Sequence, residues 1–236
     1  MNELTLAEAI ENLYRVFARY PLKERIEGCP CCVGEERERI LHARPLRELS
    51  GAQLSSFGFK AMTTFGDADD FRHFLPRLFE TMTRGEFGYN EEILFGKLVY
   101  AGWTDWPAEE SAAIGDFFRA LVRAAVEFDR EKAWLAESFI TGVAIAAPDV
   151  TPYLEIWLEE ISPNRIATLA YFTIEAGGEM SNAFLGKEAV NRRRILRWLT
   201  AEATVARLET LFLDEDFAKI SPDLPRLLEA IYDLRK

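Results

Sequence analysis

The stretch Ala61–Glu80, AMTTFGDADDFRHFLPRLFE, carries the densest aromatic pattern of the chain and predicts the helix around which the rest is organised. Gly66 breaks the preceding segment, and Asp67 is placed to cap the first free backbone N–H groups of a helix that runs to Met82. At about 100° per residue, one side of this helix is apolar and predicts a buried stripe. The stripe consists of Phe71, Phe74, Leu75, Leu78, Phe79 and Met82.

The opposite side of the same helix is polar. Its side chains follow one another about one turn apart: Asp69, His73, Arg77 and Glu80. Because Asp, Arg and Glu are mostly exposed residues, a solvated face is the favoured interpretation, and the lining of a groove is the alternative. Pro76 interrupts the pattern, so it either kinks this helix or divides it into two short ones.

The remaining sequence predicts an all-α protein, because apolar residues recur at helical spacing and no hairpin signal stands out. We expect an irregular array of about eleven short antiparallel helices, either solenoid-like or an orthogonal bundle. The array is expected to form a single helical domain over residues 1–236, with a weak division near residues 147–150.

Capping side chains mark the predicted helix starts. Two capping boxes, Thr5 with Glu8 and Ser50 with Gln53, have the spacing of reciprocal caps. Single caps are predicted at Asn90, Thr151, Ser162, Thr200 and Ser221.

Composition narrows the function classes. The chain has 236 residues with 49% hydrophobic residues, enough for a substantial core, and no apolar run reaches the roughly 18 residues of a membrane span. The acidic, amphipathic start is not typical of a secretion signal.

A formal net charge of -11 disfavours nucleic acid and anionic membranes as partners. The basic run at residues 191–194 is expected to pair with acidic neighbours. We therefore expect a cytoplasmic protein with a protein partner, and the oligomeric state stays open.

The only cysteines lie together in Cys29-Pro30-Cys31-Cys32. Such a cluster is typical of a reducing compartment, where it leaves three interpretations: inert thiols, a zinc site or a redox pair. A complete zinc site would use Cys29, Cys32, His42 and His73, the last two being the only histidines, and Cys31 is an alternative ligand. Asp69, one turn before His73, would then orient the imidazole, and Arg77 and Glu80 would complete a second shell or groove.

Several short motifs carry a resemblance to a known family. They are the Cys29–Cys32 pair, Pro45–Leu49, Thr64–Asp67 (where the family favours Trp over Phe65), Asp70–Arg77, Gly96–Leu98 and Ala101–Trp103. Over roughly the first half of its length, the chain resembles an uncharacterised family of bacterial helical proteins. The resemblance implies that the central stretch is one structural unit, and it implies no reaction.

These observations leave three hypotheses for function. A helical interaction or regulatory module is favoured, because no phosphate loop, nucleophile elbow or His-Glu-x-x-His motif is present. The first alternative is a metal- or thiol-dependent enzyme whose site combines the cysteine loop with the His73 row. The second is an immunity-type inhibitor of a basic protein, which draws only on the acidic charge.

Overall fold

The computed structural model describes residues 3–29, 31, 33–176 and 190–236. These residues are predominantly helical, with isolated β-bridges but no β-strand among them, which confirms the all-α prediction. None of the helices in these ranges is both long and apolar enough to cross a membrane. The α-helices are α1 (Leu6–Phe17), α2 (Glu35–His42), α3 (Gly51–Lys60), α4 (Ala68–Thr83), α5 (Glu92–Tyr100), α6 (Ala108–Ala125), α7 (Ala133–Ala146), α8 (Thr151–Leu154), α9 (Ile156–Glu159), α10 (Pro163–Tyr171), α11 (Val190–Thr200), α12 (Glu202–Leu213), α13 (Glu215–Ile220) and α14 (Leu224–Leu234). Short 3₁₀ turns lie at Leu46–Glu48, Trp103–Asp105 and Arg130–Lys132, and a π-helical turn at Phe172–Ala176.

The chain divides into two compact units, residues 1–120 and 121–236. We call them unit 1 and unit 2. Compactness alone does not establish that either unit folds independently, so the single domain expected from the sequence stays a prediction.

Helix α4 is the centre of unit 1. It packs against α1 and α3 and touches the turn Leu46–Glu48. Asp67 accepts hydrogen bonds from the N–H groups of Asp69 and Asp70, while the Asp70 carboxylate accepts one from the N–H of Asp67. This reciprocal cap fixes the start of α4 where the sequence predicts it. All six apolar residues of the predicted stripe are buried.

Helix α4 runs through Pro76 without interruption for 16 residues, so the predicted alternative of two short helices is wrong. A proline inside a helix costs one backbone hydrogen bond, here to the carbonyl four residues earlier. Because the apolar stripe is buried on both sides of Pro76, tertiary packing offsets that loss.

The predicted caps at Thr5, Ser50 and Ser162 form: each side-chain oxygen accepts a hydrogen bond from the backbone N–H three residues later. The other predicted caps, Asn90, Thr151, Thr200 and Ser221, are not the N-caps of their helices, which are Glu91, Val150, Ala201 and Asp223. Asp149 accepts the hydrogen bond from the N–H of Thr151, and the Thr200 hydroxyl donates back to the carbonyl of Leu196. A short polar side chain has several local partners, and the sequence alone does not choose among them.

In unit 2, α10 packs against α7 and α14, and α12 packs against α13 and α14. The basic run at the start of α11 is partly structural. Asn191 is buried, and its amide donates to the carbonyls of Ala144 and Ala147 at 2.8 and 2.6 Å. Arg194 pairs with Asp149 at 3.4 Å, as expected for a basic run in an acidic chain.

Candidate functional site

The polar row of α4 is largely withdrawn from water. Arg77 is 8% exposed, and its Nε donates to the carbonyl of Leu49 at 2.7 Å. The Glu80 carboxylate accepts hydrogen bonds from Tyr14 at 2.6 Å, from Arg77 at 2.7 Å and from Arg84 at 2.5 Å. The favoured solvated face is therefore wrong for the second half of the row, because α1 and the segment before α3 cover it.

This cluster, which we call the Glu80 network, shifts two pKa values in opposite directions. Burial and the neighbouring Glu80 carboxylate raise the pKa of the Tyr14 hydroxyl. Burial alone would raise the pKa of Glu80, but the hydrogen bonds from Tyr14 and Arg77 lower it further than burial raises it. Glu80 thus stays ionised and Tyr14 stays neutral, so the network holds one arrangement of donors and acceptors.

His73 is half-buried and lies one turn before Arg77 on α4. Its Nδ1 is 2.7 Å from the carbonyl oxygen of Tyr20. A carbonyl oxygen only accepts hydrogen bonds, so Nδ1 of the neutral imidazole carries the proton and Nε2 remains an acceptor. Burial lowers the pKa of His73, the nearby Asp70 charge opposes the shift and the charge of His42 adds to it. His73 is therefore neutral near pH 7.

His73 and Pro76 form part of an open groove of about 660 Å³, which we call the α4 groove. The lining residues are Glu11, Tyr14, Arg15, Phe17, Ala18, Tyr20, Pro21, Pro45, Leu46, Arg47, Glu48, His73 and Pro76. Aromatic rings and prolines dominate this surface, and prolines come from three different segments of the chain.

Ion pairs fix the edges of the α4 groove. The Arg47 guanidinium lies 3.7 Å from the centre of the Tyr14 ring and donates to both carboxylate oxygens of Glu11, at 2.6 and 2.7 Å. A planar guanidinium that stacks on a ring and donates to both oxygens of one carboxylate loses most of its conformational freedom. The groove edge at residues 45–48 is therefore held against α1.

The far end of the groove is fixed through Tyr20. Its hydroxyl donates to Glu110, a fully buried carboxylate, at 2.8 Å. Arg72 lies 3.6 Å from Glu110 and stacks its guanidinium on Trp106, 4.3 Å from the ring centre. A buried carboxylate of this kind is stable only beside a cation, so Arg72, Glu110 and Tyr20 act as one unit.

In the sequence, the cysteine loop (residues 29–32) lies between α1 and α2. Lys23 pairs with Asp67 at 2.5 Å and with Asp70 at 3.3 Å, and the N–H of Cys29 donates to the carbonyl of Thr64 at 2.8 Å. Burial tends to raise the pKa of Asp67, but Lys23 and the capped N–H groups lower it to about 2. Lys23 and Cys29 are thus held against residues 64–70, at the start of α4.

The structure does not gather the predicted metal ligands among the residues that it describes. Cys32 lies outside them, and the described ranges hold no group of three or more His, Cys, Asp or Glu residues placed to bind a metal ion. The sulfurs of Cys29 and Cys31 are 2.8 Å apart. His73 contacts Tyr20, and a rise of about 1.5 Å per residue puts it about 9 Å along α4 from Asp67. The Cys₂His₂ site with Cys29, Cys32, His42 and His73 stays a prediction.

Asp69 has a different partner from the one that the zinc hypothesis gives it. Its carboxylate accepts a hydrogen bond from Arg72 at 2.8 Å, whereas the imidazole of His73 is oriented by a backbone carbonyl. The residues that the sequence analysis missed are Tyr14 and Arg47. Tyr14 had a usable signal, since it follows Ile10 by four residues and precedes Phe17 by three, which places it on the buried face of α1.

Comparison of the chain with protein-family models, with curated proteins and with solved structures found no match. The resemblance of the central stretch to a bacterial helical family therefore stays a prediction.

Proposed function

We propose that the chain is a cytoplasmic protein-interaction module and that the α4 groove holds an extended segment of a partner protein. The observation that carries the proposal is the use of the polar row. Glu80 accepts a hydrogen bond from Tyr14, which lines the groove, and Arg77 donates to the carbonyl of Leu49, which directly follows the lining residues 45–48. A surface fixed before binding loses little conformational entropy when a partner docks.

The chemistry of the lining favours a proline-containing peptide in an extended conformation. Grooves built from tyrosine, phenylalanine and proline side chains recognise such segments, which are already extended and have little entropy to lose. In the α4 groove, Tyr20, Pro21 and Pro45 are accessible, and the buried Pro76 lies behind them in the lining. His73 also lines the groove, and its Nε2, which the hydrogen bond to Tyr20 does not use, suits a backbone N–H of the bound segment.

The enzyme alternative draws less support from the contacts. Thiol or metal chemistry with His73 would need the cysteine loop beside the imidazole, whereas Cys29 pairs with Thr64 before α4 begins. His73 itself contacts the chain at Tyr20. The interaction module needs neither arrangement, because the lining of its groove comes from α1, residues 18–21, residues 45–48 and α4.

A blocked-groove variant tests the proposal. Ala18 is an exposed residue of the groove lining, so Ala18→Arg fills the groove without touching the core, and Ala112→Arg places the same charge on an exposed site of α6 outside the lining. Peptides selected by display on the wild-type chain are then measured against both variants. We expect Ala112→Arg to bind them as the wild type does and Ala18→Arg to bind at least about tenfold more weakly.

Two results would count against the proposal. One is a set of selected peptides that binds Ala18→Arg with unchanged affinity. The other is a selection that yields no peptide above background from a library rich in proline. Equal melting temperatures of the two variants establish beforehand that Ala18→Arg leaves the fold intact.

A further inference from the structure

Unit 2 carries a second groove, which differs in character from the first. It lies between α12 and α14, which pack against each other, and has a volume of about 610 Å³. We call it the α12–α14 groove. Its lining includes Phe212, Leu213 and Tyr232, whose exposed fractions are 45%, 78% and 40%. Large apolar side chains exposed together on one surface indicate an interaction site.

We propose that the α12–α14 groove binds a basic amphipathic helix of a partner protein. The shape argument comes from the groove walls. One wall is α14, whose apolar lining residues Pro225, Leu228 and Tyr232 recur at intervals of three and four, and the other is the C-terminal end of α12, with Phe212 and Leu213. An apolar groove along one helix accepts another helix, which buries residues at positions i, i+3 or i+4 and i+7.

The charge around the groove selects the partner. Among the residues that the structure describes, Glu209, Glu229 and Asp233 line it together with one cation, Lys236, which is paired with Asp233 at 2.7 Å. Lysine and arginine residues that flank the apolar face of an incoming helix would meet these carboxylates. A second copy of this chain would bring an identical acidic rim against the first, and like charges disfavour that arrangement.

Exposure shows that folding does not require this apolar surface. Leu208, five residues earlier on α12, is fully buried, whereas Leu213 is exposed over most of its surface. Substitution of Leu213 therefore changes the surface and leaves the core of unit 2 in place. This property makes Leu213 the test position.

The experiment uses the full chain and two synthetic peptides. Each peptide has about 18 residues, roughly five helical turns, with leucine on one face. The remaining positions are lysine in the first peptide and glutamate in the second. Fluorescence anisotropy with labelled peptide gives the affinities. We expect the lysine peptide to bind at least about tenfold more tightly than the glutamate peptide, and Leu213→Ser to weaken its binding by about tenfold or more.

Matched variants separate the groove from general attraction to an acidic protein. Trp134→Ser removes a side chain that is 51% exposed in the same unit but does not line the groove, and we expect it to leave binding unchanged. Glu229→Lys and Glu160→Lys change the net charge equally, and only Glu229 lines the groove. We expect the first to weaken binding and the second to have a clearly smaller effect.

Three outcomes would overturn the inference. They are unchanged binding by Leu213→Ser, equal loss in Glu229→Lys and Glu160→Lys, and equal affinity for the two peptides. Sedimentation of the chain alone gives a further decision: a dimer that Leu213→Ser dissociates would show that a second copy occupies the groove. The α4 groove shares no residue with this surface, so either proposal can fail without the other.

Discussion

The two grooves have nearly the same volume, about 660 and 610 Å³, yet they are built in opposite ways. In the α4 groove, the buried Glu80 network lies behind the surface and holds Tyr14, and Tyr14 and Phe17 are themselves almost fully buried. In the α12–α14 groove, apolar side chains such as Leu213 lie on the surface and the polar groups stand at the rim.

The difference indicates which interaction would stabilise a partner on each surface. The first offers a fixed shape with directed polar groups, so its selectivity comes from complementarity of form. The second offers apolar area that leaves water on binding, worth roughly 25 cal/mol for each Å² buried, and its selectivity comes from charge. Substitutions that change the fold should therefore be concentrated behind the first groove.

The largest effect is expected from Arg77→Ala. Removal of the guanidinium takes one cation away from the partly buried Glu80 carboxylate. It also leaves the carbonyl of Leu49 without its hydrogen-bond donor. Breaking a buried pair by removing one partner costs about 3 kcal/mol or more in the free energy of unfolding. Urea denaturation followed by circular dichroism measures the loss.

Arg47→Ala is the control for the first prediction. Arg47 also pairs with a carboxylate in the α4 groove, but both partners are more than half exposed. We expect its loss to cost about 1 kcal/mol or less. Equal losses in the two variants would mean that the Glu80 network does not support the groove.

An intermediate effect is expected from a pair of tyrosines with the same chemistry. Tyr14 donates to Glu80 in the buried network, and Tyr232 donates to Glu209 across the exposed α12–α14 groove. Tyr14→Phe should cost about 1.5 kcal/mol of unfolding free energy, because a hydrogen bond to a charged group is lost away from water. Tyr232→Phe should change it by no more than about 0.5 kcal/mol, because water replaces the lost partner.

A larger loss of unfolding free energy in Tyr232→Phe than in Tyr14→Phe would contradict the comparison of the two grooves. Such a result would show that the α12–α14 groove is the fixed surface and the α4 groove the adaptable one. Chemical denaturation of both variants at one pH suffices, since each substitution removes a single hydroxyl.

The short-range features of the structure could be predicted from the sequence. Helical periodicity identified the buried stripe of α4, and reciprocal spacing identified the caps at Thr5 and Ser50, because each of these signals depends on residues within one or two turns. The same reasoning placed His73, Arg77 and Glu80 on one face of α4.

What the sequence did not provide was the partner of each polar group. Glu80 meets Tyr14 across 66 residues, and Asn191 meets Ala144 across 47, so no local pattern records either pairing. The expectation of a solvated row failed for this reason: residue type favours exposure for Arg77 and Glu80, but tertiary packing covers them. The zinc hypothesis rests on a similar long-range guess.

The smallest effect is expected from the pH dependence of His73. Burial lowers its pKa below the ordinary value of 6.5, so the unfolded chain takes up a proton at a higher pH than the folded protein does. Stability contributed by neutral His73 is therefore complete above about pH 7 and is lost as the pH falls through 6.5 toward the lower pKa of the folded state. The urea midpoint of the wild-type chain should drop between pH 7.5 and pH 5.5.

His73→Asn isolates this contribution, because the asparagine amide nitrogen takes the place of Nδ1 and can still donate a hydrogen bond to the carbonyl of Tyr20 but carries no titrating group. The variant should show a smaller drop in the urea midpoint over the same interval. Titration of the imidazole by NMR should place its pKa below 6.5 in the folded chain. An identical pH response in both proteins would mean that His73 is solvated in solution. The α4 groove would then resemble the α12–α14 groove at this point, with an exposed wall instead of a fixed one.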